Sequence, residues 1–343
     1  MTAQKDRATA KTIGSCLGEP LTVGDPDVSG PLTVFPIFGV DATQRFVSFA
    51  QGRDAGAVTI KEIASASVRD LTVANAGDVP VLLYEGEEVL GGQQNRSFDD
   101  SLLVAAGTVL TVPVSCVEAG RWDHSSHGVA YAASPHSSYP EMRRTKYEEK
   151  ERRRAAGLRA APDQSQVWGL IDAKSARLGA FSPTHAMSDI YKQRHADLQR
   201  LTEAVRLHDD QLGTLVAVAG RFCVLDFAAR ADVFAALHSP LVAGYALDAL
   251  EALGRETEQA RVESARGFVS LVCGTGMTER DSAGLGRDVM FAEDGIAGSA
   301  LVNEGELVQM TAFPQNGRGG TGEAAVHTEG GRIRRPSMRR PRE

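Results

Sequence analysis

Over residues 109–117 the chain alternates: Leu110, Val112, Val114 and Cys116 fall on one side, Thr111, Pro113 and Ser115 on the other. Successive side chains on a strand point to opposite faces, so this run predicts a half-buried β-strand. Cys116 then lies in the core, and Glu118 continues the dry side just past the strand end, at the rim of that core. Around this strand, residues 85–122 gather Glu85, Glu87, Glu88, Gln93, Gln94, Asn95, Arg96, Glu118, Arg121 and Trp122. Solubility alone does not require such a density of hydrogen-bonding side chains, and a polar site held up by apolar strands is the expectation. Gly91-Gly92 and Gly107 supply turns where the backbone needs freedom or a ligand comes close.

Composition sets wide bounds only. A chain of 343 residues, 42% hydrophobic and 24% charged, can bury one large core or two smaller ones. Its formal net charge of -7 argues against nucleic acid as the main partner, because that work needs a dominant basic surface. Four cysteines, far apart and without C-x-x-C spacing, read as reduced thiols. No apolar run of signal-peptide length opens the chain, and none reaches the roughly eighteen residues a bilayer demands. A soluble, cytoplasmic protein with no membrane partner is expected.

Residues 1–30, rich in Gly, Pro and Asp, read as a loosely held lead-in. Strand-like runs follow at 32–38, 57–63, 68–73 and 79–84, with a short helix over 42–51; Pro36 marks the first run as an edge strand or a bulge. Residues 123–163 read as a linker. Its second half, 141–159, holds six Arg and two Lys against four Glu, the pattern of a solvated helix with i,i+4 pairs. Helices are expected at 164–177 and 185–207, then a hairpin over 215–227 turning on Gly220-Arg221. A helix starting at Pro240, a strand at 268–273 and a meander over 288–313 complete the pattern. The Arg-rich, Gly-rich tail, 314–343, has no apolar pattern and is expected to be disordered. The fold class is therefore α+β: a β-rich N-terminal half over 31–122, a helical connector, and a smaller α/β C-terminal half over 164–313.

Two long motifs carry a family likeness: Gly86-Glu87-Glu88-Val89-Leu90-Gly91-Gly92-Gln93-Gln94-Asn95-Arg96, and Val112-Pro113-Val114-Ser115-Cys116-Val117-Glu118-Ala119-Gly120-Arg121-Trp122. With residues 164–168, the Ser182-Pro183-Thr184 step, 220–227 and 241–250, they make the chain resemble the ARG and rhodanese-phosphatase-superfamily-associated protein family. That is a prokaryotic domain family named for its gene neighbours, the first of which is ADP-ribosylglycohydrolase. The resemblance implies a context, metabolism of NAD or ADP-ribose, and carries no catalytic residues with it.

Within the polar stretch two readings compete. In one, Arg96 and Arg121 meet phosphate or carboxylate through their planar forks, Glu87, Asn95 and Glu118 bind sugar hydroxyls, Gln94 joins the ligand-binding set, and Trp122 stacks on a base. In the other, the arginines pair with Glu87 and Glu118 to tie strand ends together. The ligand expected is NAD-derived or ADP-ribose-like, with no further cofactor and no metal. A hydrolase with Glu87 or Glu118 as general base is the enzymatic alternative, and a non-catalytic partner of an ADP-ribosylglycohydrolase-type protein is the third. Cys116 points into apolar company and reads as an inert thiol. His124, His127 and His136 lack a matching second ligand pair for zinc. Gly274-Thr275-Gly276 lacks a third glycine and reads as a hairpin turn.

Overall fold

The computed structural model describes residues 11–63, 67–126, 129–255, 258–293 and 295–315. His127 and nearly all of the basic tail lie outside the described residues. After a 3-10 turn at Ile13–Cys16 come β1 (Thr22–Val23), β2 (Asp27–Ser29), β3 (Leu32–Phe38), β4 (Val47–Ser48) and α1 (Phe49–Asp54). Then follow β5 (Val58–Glu62), β6 (Asp70–Asn75), β7 (Val81–Leu83), β8 (Glu87–Leu90), β9 (Arg96–Phe98), β10 (Leu102–Val104) and β11 (Thr108–Cys116). After β12 (Ala132–Ser137) the chain turns helical: α2 (Pro140–Ala155), α3 (Gln164–Leu178), α4 (Met187–Gln193) and α5 (His195–Thr202). The hairpin β13 (Gln211–Val218) and β14 (Arg221–Ala228) leads to α6 (Ala231–Leu250) and α7 (Val262–Gly274). A meander closes the chain: β15 (Thr278–Asp281), β16 (Arg287–Glu293), β17 (Ile296–Asn303) and β18 (Glu306–Pro314). The fold is α+β, with a β-rich N-terminal half.

Three sheets organise these strands. A nine-stranded antiparallel sheet runs β1-β3-β13-β14-β18-β17-β16-β15, with β2 also on β3. A six-stranded sheet runs β12-β8-β9-β11-β6-β5, and a three-stranded one β10-β7-β4. Strand β3 thus belongs with the C-terminal strands and pairs along its length with β13. It is not the edge that Pro36 suggested. The Pro36 carbonyl accepts from Gly24 N–H, so the position of its missing donor faces the gap between β1 and β2, where no ladder bond is lost. The same pairing orders residues that were expected to form a loose lead-in, since β1 and β2 take up the free edge of β3.

Other differences have local causes. Residues 268–273 are helical within α7: Ala265, Val269 and Val272 are buried at helical spacing while Leu271 faces solvent, so the β-branched run serves one helix face. Gly274 closes this helix, and Gly274-Thr275-Gly276 leads into β15 rather than turning a hairpin. Helix α6 begins nine residues before Pro240, which sits inside it. It is long and apolar enough to cross a bilayer, yet Val233, Phe234, Leu237, Leu241, Val242 and Leu247 are buried within the protein. The helix expected over 42–51 is the short α1, capped by the Ser48 hydroxyl on Gln51 N–H.

The largest departure is α2. It forms over the charged stretch expected to be a solvated linker helix, but Arg143, Lys146 and Lys150 are buried. They can be, because carboxylates distant in sequence meet them, Asp226 from β14 and the others from the β7–β8 and β9–β10 connections: Glu85 and Asp226 for Arg143, Asp99 for Lys146, Asp100 for Lys150. One apolar cluster runs through the same region and joins Leu82, Tyr84 and Leu103 to α2, α3, α4, α5 and α6.

Candidate functional site

The loop from Gly91 to Asn95, between β8 and β9, is the hub of the polar stretch. Gly91 and Gly92 have φ of 121° and 50°, and a Cβ on Gly92 would stand 2.3 Å from the Tyr131 ring. Glycine there lets Tyr131 lie flat over the loop and donate to Glu62 Oε1 at 2.6 Å. The same oxygen accepts Gln93 N–H at 3.3 Å and faces Arg96 Nη2 at 3.6 Å. Arg96 is fully buried; its Nη1 donates to Gln94 Oε1 at 3.0 Å, and its guanidinium lies 5.8 Å from the centre of the Trp122 ring.

Arg121 closes the loop from the other side. Its Nε donates to Glu118 Oε2 at 2.8 Å, Nη1 to Gly92 O at 2.8 Å, and Nη2 to Asn95 Oδ1 at 3.1 Å. Glu118 also accepts Asn95 N–H at 3.2 Å and the Thr184 hydroxyl at 3.0 Å. The Ser182-Pro183-Thr184 step therefore docks directly on this loop, and a Cβ on Gly120 would meet the Thr184 backbone at 2.9 Å. Beneath it, Cys116 is buried, its backbone clamped by the Gln164 amide, and burial raises its thiol pKa. Trp122 is 36% exposed, with His124 edge-on at 6.1 Å, and His124 Nδ1 is 3.3 Å from Gln93 Nε2.

The structure thus brings together Gln94, Asn95, Arg96, Glu118, Arg121 and Trp122. Glu87 stands apart: its Oε2 accepts Tyr84 N–H at 2.7 Å, and burial pushes its carboxyl up to about 8, that hydrogen bond pulling the other way. Neither arginine pairs with it; the carboxylate on Arg96 is Glu62. Glu62, Tyr131 and Thr184 were not foreseen. Glu62 had a signal, since Val58, Ile60 and Glu62 alternate along β5 and put a carboxylate on the dry face. His136 lies in another polar group, with Ser134 and Glu88 on its Nδ1 at 2.5 Å and 2.7 Å. A groove of about 710 Å³ between residues 14–23 and α7 shares no residue with the loop. Its Cys273 thiol is pushed up to about 11 by burial, which leaves it a poor nucleophile.

Three buried polar atoms around the loop have no hydrogen-bond partner among the described residues: Glu62 Oε2, Gln93 Oε1 and Arg96 Nε. Buried groups left this way are few in native proteins, and each is a place for a water or a ligand atom. The set offers two acceptors, one donor and a stacking plane, while most donors of both arginines are already engaged.

An α+β domain built around a glycine-turned polar loop is the class these features define. The ARG and Rhodanese-Phosphatase-superfamily-associated Protein domain matches residues 20–313, and the chain belongs to this family. The match takes in the loop, the docking step at Thr184 and every strand of the nine-stranded sheet. No curated protein and no solved structure matches the chain.

Proposed function

We propose that the chain is a cytoplasmic binding protein for an NAD-derived or ADP-ribose-like nucleotide, acting in NAD or ADP-ribose metabolism, with its site at the Gly91–Asn95 loop and the Arg96, Arg121 and Trp122 side chains around it. The observation that carries this reading is the half-exposed Trp122 ring over Arg96, next to the partnerless atoms of Glu62, Gln93 and Arg96. A base stacks on the indole while ribose hydroxyls meet the two open acceptors. Phosphate recognition falls to the outer face of Arg121, which is 28% exposed at its side chain.

Binding is favoured over hydrolysis by the state of the two glutamates. Glu118 already accepts from Asn95, Arg121 and Thr184, and Glu87 holds its proton at neutral pH, so neither is a free general base. Calorimetric titration with ADP-ribose, NAD and ADP tests the proposal, alongside tryptophan fluorescence in a Trp168→Phe background. Saturable heat that disappears in Trp122→Ala is the expected result. No heat from any of the three at about 1 mM overturns it. Turnover of an ADP-ribosyl bond that is lost in Glu118→Gln would restore the hydrolase reading. Co-purification with an ADP-ribosylglycohydrolase-type protein without ligand binding would favour a partner role.

A further inference from the structure

Four cations descend one face of α2 at spacings of three, four and four residues: Arg143, Lys146, Lys150 and Arg154. The first three each meet a carboxylate brought by another element. Arg154 does not: its ion pair among the described residues is with Glu151 on its own helix, and a second arginine, Arg280 of β15, stands near enough to work against its charge. The two guanidinium groups, 29% and 33% exposed, border a groove of about 400 Å³ between the C-terminal half of α2 and strands β15 and β16. Tyr147, Met290, Phe291 and Ala292 supply its apolar lining.

The counter-charges nearby do not close the account. Asp100 is bonded by Lys150 at 2.8 Å, and its charge, which Arg280 and Arg154 also help to hold, is shared among three cations. Asp288 reaches Arg280 Nε only at 3.4 Å, and burial, with Asp100 beside it, raises its carboxyl. Among the described residues, Arg280 Nη2 finds only the Met290 sulfur, at 3.6 Å, a weak acceptor. Each guanidinium carries five N–H donors in a planar fork, so most of those on Arg154 and Arg280 are open to a ligand in the groove.

The geometry points to a second binding site in this groove, one that takes a small organic anion: a phosphate or carboxylate head between Arg154 and Arg280, and a flat apolar body against Tyr147 and Met290. It is separate from the Gly91–Asn95 loop and does not depend on what binds there.

Titration of the full chain with phenyl phosphate, benzoate, phenol and inorganic phosphate tests it. Phenyl phosphate or benzoate binds saturably, and phenol and inorganic phosphate each bind at least about tenfold more weakly, because each lacks one half of the recognition. The double variant Arg154→Gln/Arg280→Gln weakens binding by about tenfold or more, Arg154→Lys/Arg280→Lys by less, and Trp122→Ala leaves it unchanged. A thermal melt confirms that each variant is folded, and the Lys pair serves as the readout if the Gln pair is not. The proposal is overturned if no probe saturates, if folded Gln or Lys variants bind like the parent chain, or if Trp122→Ala abolishes binding.

Discussion

Arg96 and Arg143 are both fully buried, and they are buried differently. Arg143 reaches two carboxylates, with Nη1 and Nη2 at 2.8 Å and 2.6 Å from Asp226 and Nη2 at 3.1 Å from Glu85. Asp226 in turn accepts from the Tyr84 and Tyr245 hydroxyls at 2.9 Å and 2.6 Å. Burial pushes the Asp226 carboxyl up, and the Arg143 guanidinium overcomes it, holding the group below the usual range. Arg96 has one carboxylate at 3.6 Å, neutral acceptors otherwise, and a bare Nε. A complete network fixes one arrangement of α2 against two sheets. An incomplete one leaves polar atoms without partners among the described residues, here beside a partly exposed tryptophan. Arg143 is a lock within the fold, and Arg96 lies beneath the loop proposed as the site.

The largest expected effect tests the lock. Arg143→Ala leaves Glu85 and Asp226 buried without their cation, which costs about 3–5 kcal/mol, as breaking buried ion pairs does. Urea unfolding of the two single variants measures it, and Arg96→Ala, which strands one carboxylate that keeps its Tyr131 bond, should lose clearly less. Equal losses would erase the distinction.

Next in size is Glu87, a carboxyl with no cation beside it among the described residues. Burial lifts its folded-state pKa to about 8 from the ordinary glutamate value of 4.5, so between those values the folded protein holds a proton that the unfolded chain has released. Stability therefore falls as pH rises through that window and levels off above it. Glu87→Gln keeps an acceptor for Tyr84 N–H and removes the slope, gaining about 4 kcal/mol at pH 8 and little below pH 4.5. Thermal melts across pH 4 to 9 read the difference, and parallel curves for the two proteins would show Glu87 to be ionised throughout.

These two regions also show where sequence reading works and where it stops. Strand alternation in β11, the β13–β14 hairpin and the closing meander is local, and each came through with bounds close to the expected ones. The polar loop was legible because its residues are packed into two short motifs. What pairs with them was not: Glu62, Tyr131 and Thr184 reach the loop from separate segments, and only tertiary structure brings them in. The same cause explains α2. Its lysines and arginines have the composition of a solvated face, and they are buried only because Asp226 of β14 and Glu85, Asp99 and Asp100 of the β7–β8 and β9–β10 connections meet them. For α7, the Val and Leu run satisfied a strand pattern, and burial on one helical stripe decided otherwise.

The smallest effect bears on the loop itself. Arg121 is partly exposed and bonds Glu118, Gly92 O, Gly91 O and Asn95 Oδ1 with one planar fork. Lysine at this position keeps the charge and its attraction to Glu118 but cannot span the loop carbonyls and the Asn95 amide together. Arg121→Lys should therefore cost only about 1 kcal/mol in unfolding free energy, the worth of a net hydrogen bond or so at a half-solvated place. Its effect on ligand binding should be larger than that, because Gln93, Gln94 and Asn95 are presented by the loop the fork holds closed. A variant that loses affinity for ADP-ribose about tenfold while its melt barely moves would separate the two arginine systems by function. If stability and affinity fell in proportion, the loop would be a strut like the one at Arg143, and the difference between the two regions would be one of degree.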